Sequence, residues 1–190
     1  LYFASKMLDA PGAIMVTGSH NPPDYNGFKL VHRNAPFWAD DIQLLGCRAA
    51  AGDWRKGEGH RLPLDVMDAY VGRIAQDYRS DRELKVVWDA GNASAGPALL
   101  ELVKRLPGHH VVLHEEVDGM FPAHHPDPTM PENLSDLIKN VCGLGYDIGL
   151  AFDGDGDRLG AVDGTGRIIW GDQLLAIYAA ELLERRPGVE

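Results

Sequence analysis

From Asp65 onward, amphipathic helical segments alternate with short, continuous apolar runs, and no other feature of this sequence limits the possible folds so tightly. Asp65 to Tyr78 carries helical periodicity through Val66, Ala69, Tyr70, Arg73, Ile74 and Asp77, then gives way to Lys85-Val86-Val87-Trp88-Asp89, a run typical of a buried strand. Ser94 to Leu106 reads as a helix that tolerates Pro97 in its first turn, followed by the strand Val111-Val112-Leu113. Thr129 and Glu132 stand at capping-box spacing before a helix with Leu134, Leu137, Ile138 and Val141 on one face. Asp147 to Phe152 is the next predicted strand, Leu159 to Trp170 a hairpin turning at Asp163-Gly164-Thr165-Gly166, and Asp172 to about Arg185 a closing helix. This alternation predicts an α/β fold of layered mixed sheets flanked by helices, largely parallel with an antiparallel edge.

The first third of the chain reads differently. Leu1 to Leu8 is helical in spacing, Pro11-Gly12 breaks it, and the strand Ala13-Ile14-Met15-Val16 leads into a Gly-, Pro- and Asn-rich loop that ends at a strand over Phe28 to Val31. A helix over residues 38–51 and an open connection from Gly52 to Pro63 follow, which puts a domain boundary near Leu64. The chain starts at Leu1 in helix-like sequence without an initiator Met, so it is read as a piece of a longer protein.

Two loops carry the chemistry. Asp153-Gly154-Asp155-Gly156-Asp157-Arg158 sets three carboxylates at alternate positions, with glycines that allow turns bringing their oxygens together. Carboxylate pairs about 5 Å apart repel by ~3 kcal/mol at an effective dielectric near 20, a cost that a bound divalent cation removes. Hard oxygen ligands favour magnesium over zinc. A calcium EF-hand starting at Asp153 would need Gly and Glu where Arg158 and Gly164 stand, so that reading fails. A haloacid-dehalogenase-type site, with Asp153 as nucleophile in a D-x-D after an apolar strand, stays open as the alternative.

The second loop, Thr17-Gly18-Ser19-His20-Asn21-Pro22-Pro23-Asp24-Tyr25-Asn26-Gly27-Phe28-Lys29, offers a hydroxyl beside an imidazole and a lysine. A hydroxyl accepts a phosphoryl group only if a base takes its proton and cations offset the developing charge, roles open to His20 and Lys29. The nucleophile-elbow pattern G-x-S-x-G is absent, which argues against a serine hydrolase, while a plain Gly-Pro turn with an exposed serine is the simplest alternative. A metal cluster and a nucleophile in one chain point together to phosphoryl transfer.

Both loops resemble those of the α-D-phosphohexomutases, specifically the phosphomannomutase/phosphoglucomutase branch. Residues 17–29 resemble that family's phosphoserine loop and residues 153–158 its metal loop, in the same order, and Glu116 to Pro128 is similar to a further family segment. The serine-loop form is closer to the mannose/glucose branch than to the glucosamine one. Ala93 departs from the family, which often has a second Gly there. The resemblance implies that phosphorylated Ser19 passes its phosphoryl group to a hexose 1-phosphate, giving a bound 1,6-bisphosphate that reorients and returns its other phosphate. It implies Mg2+ on Asp153, Asp155, Asp157 and a phosphoserine oxygen of Ser19, Arg158 on phosphate, and glucose 1,6-bisphosphate as activator. It also implies that residues 1–64 are the end of a first domain, 65–168 a second, and 169–190 the opening helix of a third. On that division the sugar-reading parts lie elsewhere, and little activity is expected of the chain alone.

Other features narrow the partners. With 28 acidic against 18 basic residues and a net charge of −10, no basic stripe exists to bind a nucleic-acid backbone, so a nucleic acid is not expected as partner, and the resemblance implies a hexose phosphate instead. No apolar run approaches the roughly 20 residues of a membrane span, and Cys47 and Cys142 form no C-x-x-C pair, so a soluble protein of a reducing cytoplasm is expected. His114-Glu115-Glu116 lacks the second His of a zinc H-E-x-x-H, and His109, His110, His114, His124 and His125 are read as loop or surface residues without an assigned role. Trp38, Trp54, Trp88 and Trp170 are too dispersed for a stacking platform.

Overall fold

The computed structural model describes residues 1–22 and 24–188. Elements appear in the order α1 (Tyr2–Met7), β1 (Gly12–Val16), β2 (Phe28–His32), β3 (Ala35–Pro36), α2 (Asp40–Ala50), α3 (Met67–Ala75), β4 (Leu84–Asp89), α4 (Gly96–Val103) and β5 (Gly108–Leu113). A 3-10 turn (Pro131–Leu134) then precedes α5 (Ser135–Leu144), β6 (Ile148–Phe152), β7 (Leu159–Asp163), β8 (Ile168–Ile169) and α6 (Gly171–Arg185).

The strands form two sheets. β1, β2 and β3 make a small antiparallel meander, and the larger sheet has the order β5-β4-β6-β7-β8, parallel across β5, β4 and β6 and antiparallel at the β7–β8 edge. Mixed α/β layering is therefore as the alternating pattern predicts. Strand pleating sends Val87, Ala151 and Val162 to one face, where they pack with Leu134, Leu137 and Val141 around α5. Val86 and Trp88 point to the other face and pack with Leu99 of α4. Helices thus cover both faces of the sheet, as a buried parallel sheet requires.

Two local expectations change. The capping box does not form: the Thr129 hydroxyl donates to Asp127 Oδ1 at 2.7 Å, and the chain makes a 3-10 turn before α5 begins at Ser135. Asp127 accepts the Thr129 backbone N–H as well, at 3.1 Å. The helix after β4 starts at Gly96 and not at Ser94, because Ser94 turns aside to hydrogen-bond the carbonyl of Gly154 through its hydroxyl at 2.9 Å.

Candidate phosphoryl-transfer and metal site

Ser19 and Asp153 each follow the C-terminal end of a strand, β1 and β6, from different sheets. The β1–β2 ladder sets Met15 opposite Lys29, and Thr17 N–H extends it to the carbonyl of Gly27 at 3.0 Å. Beyond Thr17 the chain leaves the sheet, and Ser19 takes a left-handed backbone with φ 52°, uncommon for a residue with a Cβ. The Thr17 hydroxyl oxygen accepts the Ser19 N–H at 2.8 Å and donates to Asp155 Oδ2 at 3.3 Å, so Thr17 helps hold that backbone in place.

The aspartate loop is the turn between β6 and β7, closed by Phe152 opposite Leu159 and by the Gly156 N–H on the carbonyl of Asp153 at 3.0 Å. Gly156 sits at φ 72°, where a Cβ would be strained. Gly154 is needed for another reason: a Cβ there would lie 1.8 Å from the carbonyl oxygen of Ser19. The two loops touch backbone to backbone at that point.

Ser19, His20, Lys29, Asp153, Asp155, Asp157 and Arg158 all meet at this junction. Ser19 Oγ is 3.1 Å from Asp153 Oδ2, from Asp155 Oδ1 and from His20 Nδ1. Carboxylate oxygens of Asp153, Asp155 and Asp157 lie within 4.8 Å of one another. Lys29 Nζ pairs with Asp155 at 2.6 Å and with Asp157, so an ammonium sits against the carboxylates whose mutual repulsion calls for a cation. Partial burial works against the Lys29 charge, but the hydrogen bonds and charges of the two aspartates outweigh it and raise its pKa above the ordinary lysine value. Burial likewise opposes ionisation of Asp155, and the Lys29 ammonium with the Ser19 and Thr17 hydroxyls holds its carboxyl below the usual range.

Asp153 is fully buried. Its Oδ1 accepts the Arg158 N–H at 3.0 Å and its Oδ2 accepts Arg158 Nε–H at 3.1 Å besides facing Ser19. Both oxygens of this enclosed carboxylate are therefore engaged by neighbouring donors. Arg158 Nη1 lies 3.4 Å from Asp127, while Nη2 is buried with no hydrogen-bond partner among the described residues, a donor left over for an anion. Three convergent hard-oxygen donors and a left-over guanidinium N–H fit a divalent cation beside a phosphate.

Two further participants come from the segment that resembles the family between the two loops, with no role read from it. His125 Nε2 donates to the His20 carbonyl at 2.6 Å and Asp127 contacts Arg158, both from the segment after β5. The His-His-Pro-Asp-Pro run marks this segment in the sequence, but nothing in its spacing says that it reaches a loop more than a hundred residues away.

Comparison with known proteins shows the family of the chain. Residues 1–46 match the family described as Phosphoglucomutase/phosphomannomutase, alpha/beta/alpha domain I, and residues 68–166 match its alpha/beta/alpha domain II. The chain is 45% identical over 190 residues to the phosphomannomutase/phosphoglucomutase of Pseudomonas putida, and 40% identical over 192 aligned positions to the phosphoglucomutase of Neisseria gonorrhoeae. It covers 41% and 42% of the lengths of those two proteins. A solved phosphoglucomutase/phosphomannomutase family protein from Burkholderia thailandensis, 50% identical, aligns with a TM-score of 0.88 over 93% of this chain and 39% of that one.

Proposed function

The chain belongs to the phosphoglucomutase/phosphomannomutase family, and from that premise we propose that it supplies the phosphoenzyme centre of a mutase interconverting the 1- and 6-phosphates of mannose or glucose. The observation that carries this is the position of Ser19 Oγ, 3.1 Å from two carboxylates of the aspartate loop. A serine bearing about −1.5 to −2 charges could not stay beside three carboxylates without cations. Asp153, Asp155, Asp157 and a phosphoserine oxygen would hold Mg2+, which when bound supplies the charge that offsets both.

In the forward step the Oγ–P bond of phosphoserine 19 breaks as the free hydroxyl oxygen of the sugar phosphate bonds to phosphorus, giving a hexose 1,6-bisphosphate. The proton lost by that hydroxyl is matched by one gained at Ser19 Oγ, and His20 Nδ1 is within reach to give it and to take it back when phosphate returns. Lys29, whose ammonium pairs with Asp155 and Asp157, supplies positive charge beside the transferred phosphoryl group. Arg158 Nη2 offers its free N–H to a phosphate oxygen. Glucose 1,6-bisphosphate would serve as activator by rephosphorylating Ser19. The division into residues 1–64, 65–168 and 169–190 belongs to the same proposal; the two separate sheets support its first boundary.

Because the chain covers about two fifths of its relatives' lengths, the test uses the full-length protein. Incubation with glucose 1,6-bisphosphate and phosphopeptide mass spectrometry is expected to find phosphate on Ser19, and Ser19→Ala to abolish both the label and the mutase activity. Label on Asp153, or full turnover by Ser19→Ala, would overturn the assignment.

A further inference from the structure

A second cluster of ligating side chains lies outside the phosphoryl site, at the C-terminal ends of the neighbouring strands β4 and β5. Asp89 is the last residue of β4, its register partner Leu113 ends β5, and His114 follows directly. His124 comes from the segment beyond. Donor atoms of Asp89, His114 and His124 lie within 4.8 Å of one another. In parallel sheets this end is where ligands sit.

Each donor is prepared for a common guest. Asp89 is fully buried; its Oδ1 accepts the Gly91 N–H at 2.9 Å, and its Oδ2 faces His124 Nε2 at 3.0 Å. His124 Nδ1 lies 3.0 Å from the His125 carbonyl, which only accepts, so Nδ1 carries the hydrogen and Nε2 is the nitrogen aimed inward. That arrangement, a ring N–H fixed on a backbone carbonyl, is the usual support of a metal-bound histidine. The His114 ring stands edge-on to that of His124 with centroids 5.3 Å apart, and its Nε2 is buried with no hydrogen-bond partner among the described residues. Asp136 Oδ2 is 3.4 Å from the same nitrogen but out of line for a hydrogen bond.

A buried carboxylate must be compensated. A proton shared between Asp89 and His124 does this, and the hydrogen bond to Asp89 accordingly raises the His124 pKa against the opposing effect of burial. The proton leaves the His114 nitrogen unused, whereas a metal ion employs all three donors. Two imidazoles and one carboxylate are a set for a borderline cation of the zinc class, unlike the all-oxygen aspartate loop. We propose that Asp89, His114 and His124 form a second metal site, selective for Zn2+ or a chemically similar ion, with a water or Asp136 completing the coordination. Binding displaces the shared proton from His124 and draws the donors in to about 3.4 Å from one another, as Zn–N bonds of ~2.0–2.1 Å in tetrahedral geometry require. His125, next to the site, donates to the His20 carbonyl, so occupancy braces the segment that holds the serine loop.

The test titrates the metal-free full-length protein with Co2+, a spectroscopic stand-in for Zn2+, in excess Mg2+ to fill the aspartate loop. One equivalent of visible absorption typical of tetrahedral cobalt, removed by added Zn2+, is expected. His114→Asn is the decisive variant, because asparagine tolerates the φ of 53° that His114 adopts. It should weaken Co2+ binding by more than the roughly 10–100-fold that loss of a supporting residue causes, with circular dichroism unchanged, and Asp155→Asn should leave the cobalt signal intact. An absent signal, one unaffected by His114→Asn, or one abolished by Asp155→Asn would each overturn the proposal.

Discussion

The two sheets of this chain are built on opposite terms. In the larger one, four of the six β4 residues are buried, and its faces pack into two apolar clusters with α4 and α5. In the small one only Val31 is a buried hydrophobic, and Ile14, Val16 and Phe28 are 66%, 64% and 67% exposed. Yet the small sheet carries Ser19 and Lys29, and the large one carries the aspartates. Packing density and chemical position are thus separate properties here. The paired strands β6 and β7 and the buried Asp153 anchor the metal loop, whereas the serine loop is fixed by contacts to that loop through Thr17, Lys29 and the close approach at Gly154, and to the segment after β5 through His125.

If this contrast holds, the largest effect belongs to the core of the large sheet. Leu137 is fully buried in the cluster under β4 and β6, so Leu137→Ala should cost about 2–5 kcal/mol through lost transfer energy and the cavity left behind. Native-state hydrogen exchange of the full-length protein should show faster exchange of β4, β6 and β7 amides. Equal acceleration in β1 and β2 would mean that the two sheets form one cooperative unit and would break the contrast.

Gly154→Ala addresses the contact between the regions. The new Cβ would meet the Ser19 carbonyl oxygen at 1.8 Å, and since both partners are backbone, one loop must move. A displacement near 1 Å in a reacting group can cost roughly 10²-fold, so phosphorylation of Ser19 should slow by about that factor while exchange in β4 stays as in the wild type. A variant that is phosphorylated at the normal rate would show that the loops are not held by this approach.

Much of this organisation is legible in the sequence, and the reason differs by element. The strands over Lys85–Asp89 and Asp147–Phe152 are continuous apolar runs because burial on both faces demands it, and the Asp-Gly alternation of 153–158 advertises its own geometry. What cannot be read is the pairing of distant polar residues. His125 meets His20 and His114 meets His124 only after β4 and β5 align and the segment beyond β5 folds back, and no periodicity encodes that. The failed capping box has a similar cause, since Asp127, two residues ahead of Thr129, competes for its hydroxyl.

Ile14 tests the other side of the contrast at smaller amplitude. Its side chain is 66% exposed in β1, so Ile14→Ala should change stability by within about 0.5 kcal/mol and leave the Ser19 labelling rate unaltered. A loss of several kcal/mol would show that β1 is packed far more firmly than its exposure indicates.

The smallest effect is expected at the edge of the large sheet, in the turn between β7 and β8. Asp163 Oδ1 accepts the Thr165 hydroxyl at 2.6 Å, the Thr165 N–H at 2.9 Å and the Arg167 N–H at 3.0 Å. The Thr165 hydroxyl first, then the Arg167 backbone N–H, hold this carboxyl below the ordinary aspartate range. A group whose folded pKa is depressed stabilises above its unfolded value, near 3.9, and that contribution is lost as pH falls through the folded value. The difference in stability between the wild type and Asp163→Asn should therefore be constant near neutrality and shrink only in acid, below about pH 4. A difference that instead grows on acidification would mean that the turn is held by something other than the ionised carboxylate, and that even the edge of the large sheet relies on packing alone.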